Sequence, residues 1–403
     1  MSFKRLFPTI EGFIERHQSV MILGPRGTGK SFYINSQLIN RPEFLQISLL
    51  ETDLFSRYTA TPSLISDELK SFSNKHTRFG LLIDEIQLVP ALTHEVHRAM
   101  EIYGDRLCCV LTGSSARKLK RQNADLLAGR AIYFDFFPLN PEELGSKFSL
   151  AQVLRFGTLP KVWNTDDTEL MRRYLQTYVA TYLREEIQRE AQIRNLSGFA
   201  RFLEIAAASI GQPISYQKLA RTVGTSGPTI KNYFQICIDT LIGFELPIWD
   251  RSIRQQLSAS SKYYLFDCGV VNAINQTLTS EVRPHSYNYG LLYENLVVNL
   301  VRQKLLRAGT EAKMYYLRTQ RGMEIDLVLQ RNSFSTPVFI EIKSHTAPQL
   351  VDVEAPFTAI QNEFADARFL VICSTPHAYE QGKVTFLPTL EGIELACELI
   401  AAT

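Results

Sequence analysis

The sequence predicts an α/β protein whose first domain is a parallel sheet built around a glycine-rich loop. Three observations carry that prediction. An apolar run, Val20-Met-Ile-Leu23, leads straight into Gly24-Pro-Arg-Gly-Thr-Gly-Lys30-Ser31, and a helix-compatible stretch follows from Phe32 to Ile39. Two further apolar runs, Phe79–Ile83 and Leu107–Leu111, end in polar side chains, as buried parallel strands do when their carboxyl ends line a crevice. Helical stretches separate the runs, which is the alternation of a parallel sheet with crossover helices.

Residues 9–17 read as a short amphipathic helix ahead of the first strand. In the loop, glycines let the backbone wrap a phosphate chain without Cβ clashes, and a helix starting at Lys30 aims successive N–H groups at one spot. Gly24, Pro25, Arg26, Gly27, Thr28, Gly29, Lys30, Ser31 and Phe32 are therefore the candidate nucleotide-binding residues. Lys30 would reach the β- and γ-phosphates of ATP, and the Ser31 hydroxyl would hold a Mg²⁺ that the phosphates also ligate. A glycine turn that happens to carry a lysine is the bland alternative; the full spacing, with a strand before and a helix after, weighs against it.

Phe44–Leu49 is expected as a second strand, with a helix from about Leu64 to Phe72. In Phe79-Gly-Leu-Leu-Ile-Asp84-Glu85 two carboxylates end a buried strand. Asp84 would orient Mg²⁺ or its water, and Glu85 would polarise the attacking water. The run Leu107-Cys-Cys-Val-Leu-Thr112-Gly-Ser114-Ser115 repeats the pattern with hydroxyls. Thr112 or Ser114 is the candidate for touching the γ-phosphate or the water, and Ser115 caps a helix beginning near Ala116. Leu126-Leu-Ala-Gly129-Arg130 ends that helix on glycine, and Ala131–Phe136 supplies a fifth strand. Arg130, at the rim of the sheet, serves a neighbouring subunit's γ-phosphate or pairs with a surface carboxylate; both readings stand.

Composition narrows the class. The 403 residues allow two or three domains, and 45% hydrophobic with 21% charged residues is ordinary globular usage. A net charge of +2 makes no global case for nucleic acid, so any such case is local. No apolar run approaches a bilayer's thickness, and the N-terminus lacks the apolar core of a secretory signal. Cys108, Cys109, Cys237, Cys268, Cys373 and Cys397 show no paired metal-ligand spacing, and a reducing cytoplasm is the expected compartment.

The run from Gly24 to Phe136 resembles the AAA+ family of ATPases. Thr112-Gly-Ser-Ser looks like that family's first sensor, and Arg130 falls where the family keeps its arginine finger. The resemblance implies ATP hydrolysis with Mg²⁺ and self-association into a ring or another homo-oligomer. Phe137-Pro-Leu-Asn-Pro-Glu-Glu-Leu is similar to the start of the helical lid in one prokaryotic branch. Arg155-Phe-Gly-Thr-Leu-Pro160 and Tyr178-Val-Ala-Thr-Tyr-Leu-Arg-Glu-Glu186 match that branch as well. A second-sensor arginine is not obvious; Arg184 is the candidate, with a surface salt bridge as the equal alternative.

Residues 195–250 read as a separate unit. A helix from Phe202 to Ser209 precedes Ser215, which caps the helix Tyr216–Val223; the turn Gly224-Thr-Ser226 and a helix from Pro228 follow. That is helix-turn-helix spacing, with Phe244–Trp249 as a wing strand. Thr229, Lys231 and Asn232 open the presumed recognition helix and are the candidate DNA contacts, against the alternative of a protein-binding unit.

In the last third, a strand-to-turn segment Lys262–Gly269 and a helix Gly290–Leu306 carrying Glu294 precede two strands. Glu341 and Lys343, two apart in Val338-Phe-Ile-Glu-Ile-Lys343, point to one face, and Asp326 on the preceding strand can meet Glu341. Asp with Glu would make a Mg²⁺ site, and Lys would steer a scissile phosphate. This arrangement resembles the PD-(D/E)xK restriction-endonuclease-like fold, with Glu294 as the additional helix carboxylate some members use. The order of units is similar to the prokaryotic AAA ATPases with a C-terminal domain of unknown function. It implies a P-loop core at 1–137, a helical lid at 138–194, a winged helix-turn-helix at 195–255 and a nuclease-like α/β domain at 256–403. The favoured expectation is an ATP-driven DNA-processing protein acting on branched or broken DNA, with a conditional nuclease. The alternative is a nucleotide-dependent switch that binds a protein partner and keeps an inactive nuclease-like scaffold.

Overall fold

A computed structural model describes residues 3–38, 41–115, 129–183, 195–249, 260–319, 322–364, 367–382 and 384–402. The first unit is a five-stranded sheet of β1 (Val20–Leu23), β2 (Phe44–Ser48), β3 (Phe79–Asp84), β4 (Leu107–Gly113) and β5 (Ile132–Asp135). Its order is β2-β3-β4-β1-β5, and every pair is parallel. β1, β3 and β4 are buried along their whole length, which is why they read as unbroken apolar runs rather than alternating ones. Helices α1 (Pro8–Glu15), α2 (Lys30–Leu38), α3 (Thr52–Ala60), α4 (Leu64–Lys75) and α5 (Leu92–Tyr103) cover it. The sequence reading did not find α3; its one fully buried residue is Tyr58, an anchor too sparse to mark a period. The helix expected from near Ala116 and the residue Arg184 lie outside the described residues.

Short helices Pro141–Leu144, Leu150–Phe156 and Thr168–Thr177 follow, and a wider turn, Tyr178–Leu183, extends the last of them. Three helices come next: Leu196–Ala208, Tyr216–Val223 and Gly227–Asp239. Each is opened by a side-chain cap, from Asn195 to Gly198 N–H, from Ser215 to Lys218 N–H and from Ser226 to Thr229 N–H. The Asn195 cap starts the first of them six residues before the expected Phe202. Strands β6 (Gly243–Leu246) and β7 (Lys262–Leu265) then pair antiparallel.

The last unit is a six-stranded mixed sheet of β8 (Lys313–Arg318), β9 (Glu324–Gln330), β10 (Val338–Lys343), β11 (Arg368–Cys373), β12 (Tyr379–Gln381) and β13 (Val384–Pro388), in the order β12-β13-β11-β10-β9-β8. The long helix Tyr287–Ala308 and the helix Thr389–Ala402 share a core with Ile340 and Ile342 of β10. Phe339 belongs to a second core, which holds Trp249, Val353 and Ile360. The first core runs without a break from Leu139 through the three-helix unit to Ile400, so the helical segments and the C-terminal sheet are packed as one body.

One buried ion cluster fastens this body to the first sheet. Glu143 accepts from Arg5 Nε at 3.1 Å, from Leu6 N–H at 2.8 Å and from Arg307 Nη2 at 3.2 Å, while capping its own helix through Asn140. Burial alone would raise the Glu143 carboxyl. Arg5, Arg307 and the N–H groups of Leu6 and Asn140 outweigh it and hold the pKa below the usual carboxylate range. A lowered folded-state pKa contributes stability that is complete above the unfolded value of ~4.3 and is lost as pH falls through the folded value. Glu143→Gln should therefore cost about 3–5 kcal/mol at neutral pH, because two buried guanidinium groups lose their counterion. Urea midpoints measured at several pH values should show the gap to wild type closing below pH ~4; a constant gap would mean the carboxylate charge is not what matters.

Candidate active site

The glycine-rich loop joins β1 to α2, as its flanks require. Gly24 packs so closely on the residue after β5 that a Cβ would come within 2.1 Å of the Phe136 carbonyl oxygen. Gly27 and Gly29 take φ of 82° and 91°, values open to glycine but strained for other residues. Thr28 Oγ1 donates to the Pro25 carbonyl at 2.8 Å, closing the loop on itself. Lys30 Nζ donates to the carbonyls of Gly24 at 2.7 Å and Pro25 at 3.0 Å, so its ammonium lies over the cradle the loop forms.

The acidic pair at the end of β3 completes the site. Ser31 Oγ donates to Asp84 Oδ1 at 3.1 Å, which brings together the two residues expected to hold Mg²⁺. A hydroxyl beside a carboxylate, with loop N–H groups alongside, is the hard oxygen donor set that suits Mg²⁺ and a phosphate chain. Thr112 Oγ1 also donates to Asp84 and accepts from Glu85 N–H at 3.1 Å. Glu85 takes a left-handed φ of 58°, which turns its side chain away from the line of the strand. Its Oε2 accepts from Ser114 N–H at 3.2 Å and Ser114 Oγ at 3.0 Å, and from the Gln87 amide. Gln87 Nε2 also reaches Ser114 Oγ at 3.0 Å.

These surroundings drive two adjacent carboxyls in opposite directions. Burial raises Asp84, and Glu85 raises it further; hydrogen bonds from Thr112 and Ser31 and the charge of Lys30 offset only part of that. Burial would also raise Glu85, but Lys30, Gln87, Ser114 and Arg26 outweigh it and hold the carboxyl below its ordinary value. Glu85 is thus an ionised, oriented acceptor. It lines a cavity of about 490 Å³ together with Arg26, Lys30, Ser31, Phe32 and, from the helical segment, Tyr174. Tyr178 Oη donates to the Arg26 carbonyl at 2.8 Å, and its ring lies against Gly27, so the segment after β5 is latched to the loop.

Sequence reasoning missed Gln87 and Arg5, and it named Tyr178 only within a family match, with no role at the loop. Gln87 lies in the short turn Ile86–Leu88, two residues past Glu85, where polar side chains are common. Gly113 is the only trace of it in the sequence: a Cβ there would meet Gln87 Oε1 at 2.7 Å. Arg5 donates to the carbonyls of Thr28 and of Phe137, the latter at 2.7 Å, which no local motif announces.

The other candidate residues are placed as follows. Arg130 precedes β5 and so sits at the edge of the sheet opposite the loop, where Glu101 Oε1 takes its Nη2 at 3.0 Å and the His97 ring its Nη1. Lys231 and Asn232 are exposed, while Thr229 is half-buried with its hydroxyl on Ser226 Oγ at 2.8 Å. In the C-terminal unit Lys343 Nζ meets Glu341 Oε1 at 2.7 Å, and Asp326 Oδ2 accepts from Ile342 N–H at 2.8 Å. Glu294 instead meets Lys262 Nζ at 3.1 Å, and Asp326 Oδ1 is 3.8 Å from the same ammonium. Among the described residues no three His, Cys, Asp or Glu side chains are grouped so as to hold a metal ion.

Gln87→Ala should lower turnover of ATP roughly 10–100-fold with nucleotide affinity near wild type, since a hydrogen bond to a charged group contributes about 1.5–3 kcal/mol. Steady-state rates beside a direct binding measurement decide it; an equal loss of affinity would place Gln87 in nucleotide binding instead.

Comparison with known proteins divides the chain in three. Residues 16–145 match the family model described as an AAA domain, residues 147–281 a domain of unknown function, DUF8612, and residues 289–391 another, DUF4143. An uncharacterized protein of Haemophilus influenzae is 24% identical over 285 residues, covering 66% of this chain and 66% of the relative. An uncharacterized protein of Methanocaldococcus jannaschii is 24% identical over 340 residues, covering 77% of this chain and 71% of the relative. The chain thus spans just under two thirds of the first relative. A signal-transduction ATPase with numerous domains, carrying a tetratricopeptide-repeat sensor, from Pyrococcus horikoshii, covers 77% of this chain and 48% of its own at 14% identity. Its TM-score is 0.25, a likeness on which nothing about this chain rests. The match over residues 16–145, on the sheet that carries the loop and the acidic pair, supports an AAA-type ATPase.

Proposed function

We propose that the chain hydrolyses ATP at the loop and couples nucleotide state to DNA held by its three-helix unit. The observation that carries this reading is the Glu85 carboxylate, ionised and gripped by Gln87 and Ser114 beside Lys30 and the Ser31–Asp84 pair. Loop N–H groups and Lys30 would hold the phosphates, and Ser31 and Asp84 would hold Mg²⁺, whose charge would neutralise phosphate oxygens. Glu85 would orient the attacking water and accept its proton. Thr112 ties Asp84 to the backbone of Glu85, and Ser114 ties Glu85 to the end of β4, so the two sensor candidates act by setting the carboxylates.

A route to the helical unit supports coupling. Ser115, next to Ser114, touches the Asp239 carbonyl at the end of the helix that begins with Thr229 and Lys231. The proposed DNA surface carries exposed Lys218, Arg221 and Lys231. Helix-turn-helix spacing, three capped helices and the antiparallel β6–β7 pair support a winged helix-turn-helix. Arg130, remote from its own loop, is proposed to act on a neighbouring subunit's nucleotide in a homo-oligomer.

In an ATPase assay Glu85→Gln should keep nucleotide binding and lose turnover. Arg130→Ala should do the same, and mixing it with Lys30→Ala should recover some hydrolysis at hybrid interfaces, because fingers supplied in trans are worth about 10³–10⁵-fold. Wild-type turnover in Glu85→Gln would remove the assignment, and full activity in a strict monomer would remove the finger. For DNA, Lys231→Glu should weaken binding and flatten its salt dependence, since one phosphate contact fewer releases fewer counterions. An unchanged slope in a salt titration would turn the surface toward protein.

A further inference from the structure

The sequence set Glu294, Asp326, Glu341 and Lys343 aside as one metal-dependent centre. The sheet shares them out around Asp326: this residue follows Leu327 in the register with β10, its charge acts on Glu341 and Lys343, and its Oδ1 lies 3.8 Å from the Lys262 ammonium that meets Glu294. Ile340 and Ile342 pack toward the helix that bears Glu294, and Phe339 packs in the core on the opposite side. Alternation along β10 then sends Glu341 and Lys343 to the face away from Glu294. On that face Lys343 takes one Glu341 oxygen, and Oε2 of the same carboxylate is buried without a hydrogen-bond partner.

On the helix side the carboxylates converge on a lysine that no motif singled out. Lys262 of β7 is 1% exposed at its side chain, and its Nζ lies 2.8 Å from Glu324 Oε1, 3.1 Å from Glu294 Oε1 and 3.8 Å from Asp326 Oδ1. Tyr264, two residues along the same strand, donates its hydroxyl to Glu294 Oε1 at 2.6 Å. Three carboxylates from a helix and a strand surround one point, the charge a divalent cation would need, but with the ammonium at that point they stand too far apart to hold a metal ion.

We propose that Lys262 stands in the cation's place. The wild-type cluster takes no divalent metal there, and the C-terminal unit does not cleave phosphodiesters by metal-assisted hydrolysis. The ammonium instead fastens β7, the second strand of the wing-like pair, to the long helix and to β9. The assignment is independent of the ATPase reading and concerns the protein without nucleotide.

Mn²⁺ is the probe, added to full-length nucleotide-free protein and followed by electron paramagnetic resonance and by thermal melting. Wild type should leave the free Mn²⁺ signal and its melting temperature unchanged. Lys262→Ala should melt lower, recover on adding Mn²⁺ and lose that recovery when Asp326→Asn is added. Bound Mn²⁺ in wild type that Asp326→Asn abolishes would overturn the proposal, as would flap or junction cleavage lost in Asp326→Ala. A folded Lys262→Ala protein indifferent to Mn²⁺ would overturn it too. If Lys262→Ala does not fold, the wild-type binding and cleavage measurements decide alone. Loss of ATP hydrolysis in any of these proteins would bear on the loop and not on this cluster.

Discussion

The contact of Glu143 with Arg5 and Arg307 is the constraint on which the arrangement of this chain depends. Arg5 comes from the N-terminal segment and also holds the carbonyls of Thr28 and Phe137. Arg307 comes from the far end of the long C-terminal helix. One carboxylate, with no exposed side-chain surface, therefore links the phosphate loop, the chain leaving β5 and the last unit. A buried charge is expensive unless every lone pair finds a donor, and Glu143 meets that condition with two guanidinium groups and two backbone N–H groups. Arg302, one turn and a half earlier, adds a contact to Asp135 and lies over the rings of Phe137 and Phe244.

The acidic pair shows how neighbouring residues acquire different chemistry. Asp84 continues the strand and meets hydroxyls, while Glu85 turns out in a left-handed conformation, strain on the order of 1–3 kcal/mol. That turn places Glu85 against Gln87, Ser114 and Lys30, whose combined donors hold it ionised despite burial. The cost in backbone strain is offset by a fixed direction for a carboxylate that lines the cavity.

Two contacts join the sheet that carries the loop to the helical units. Tyr178 holds Arg26 from the helical side, and Ser115 meets Asp239 from the sheet side. Buried Asp267 adds a third tie, accepting from Thr158 N–H at 2.6 Å and fixing the loop before Pro160 to the start of the helix Cys268–Ile274. The helical segment after β5 and the strand pair that follows the three helices are thus parts of one packed body.

The sequence by itself determined what local periodicity and turn chemistry decide. Unbroken apolar runs marked β1, β3 and β4 because parallel strands are buried on both faces; Gly24 marked the loop because a Cβ there would meet a carbonyl, and Gly27 and Gly29 because their φ is left-handed. Ser215 marked a helix start as its cap, the turn ending at Ser226 and Pro228 marked the next, and the pairing of Asp84 with Ser31 was expected from the loop. Only the tertiary structure decided the contacts made across long stretches of chain. Gln87 meets Ser114 just past the end of β4, Arg5 and Arg307 reach Glu143 from either side of it in the sequence, and Arg130 is placed by Glu101 and His97. The alternation of β10 was legible, but which face met the Glu294 helix was not, because a period of two gives the faces without saying what covers each. Lys262 had no motif at all: its place among three carboxylates is fixed by the packing of β7 against a helix and a strand that come later in the chain.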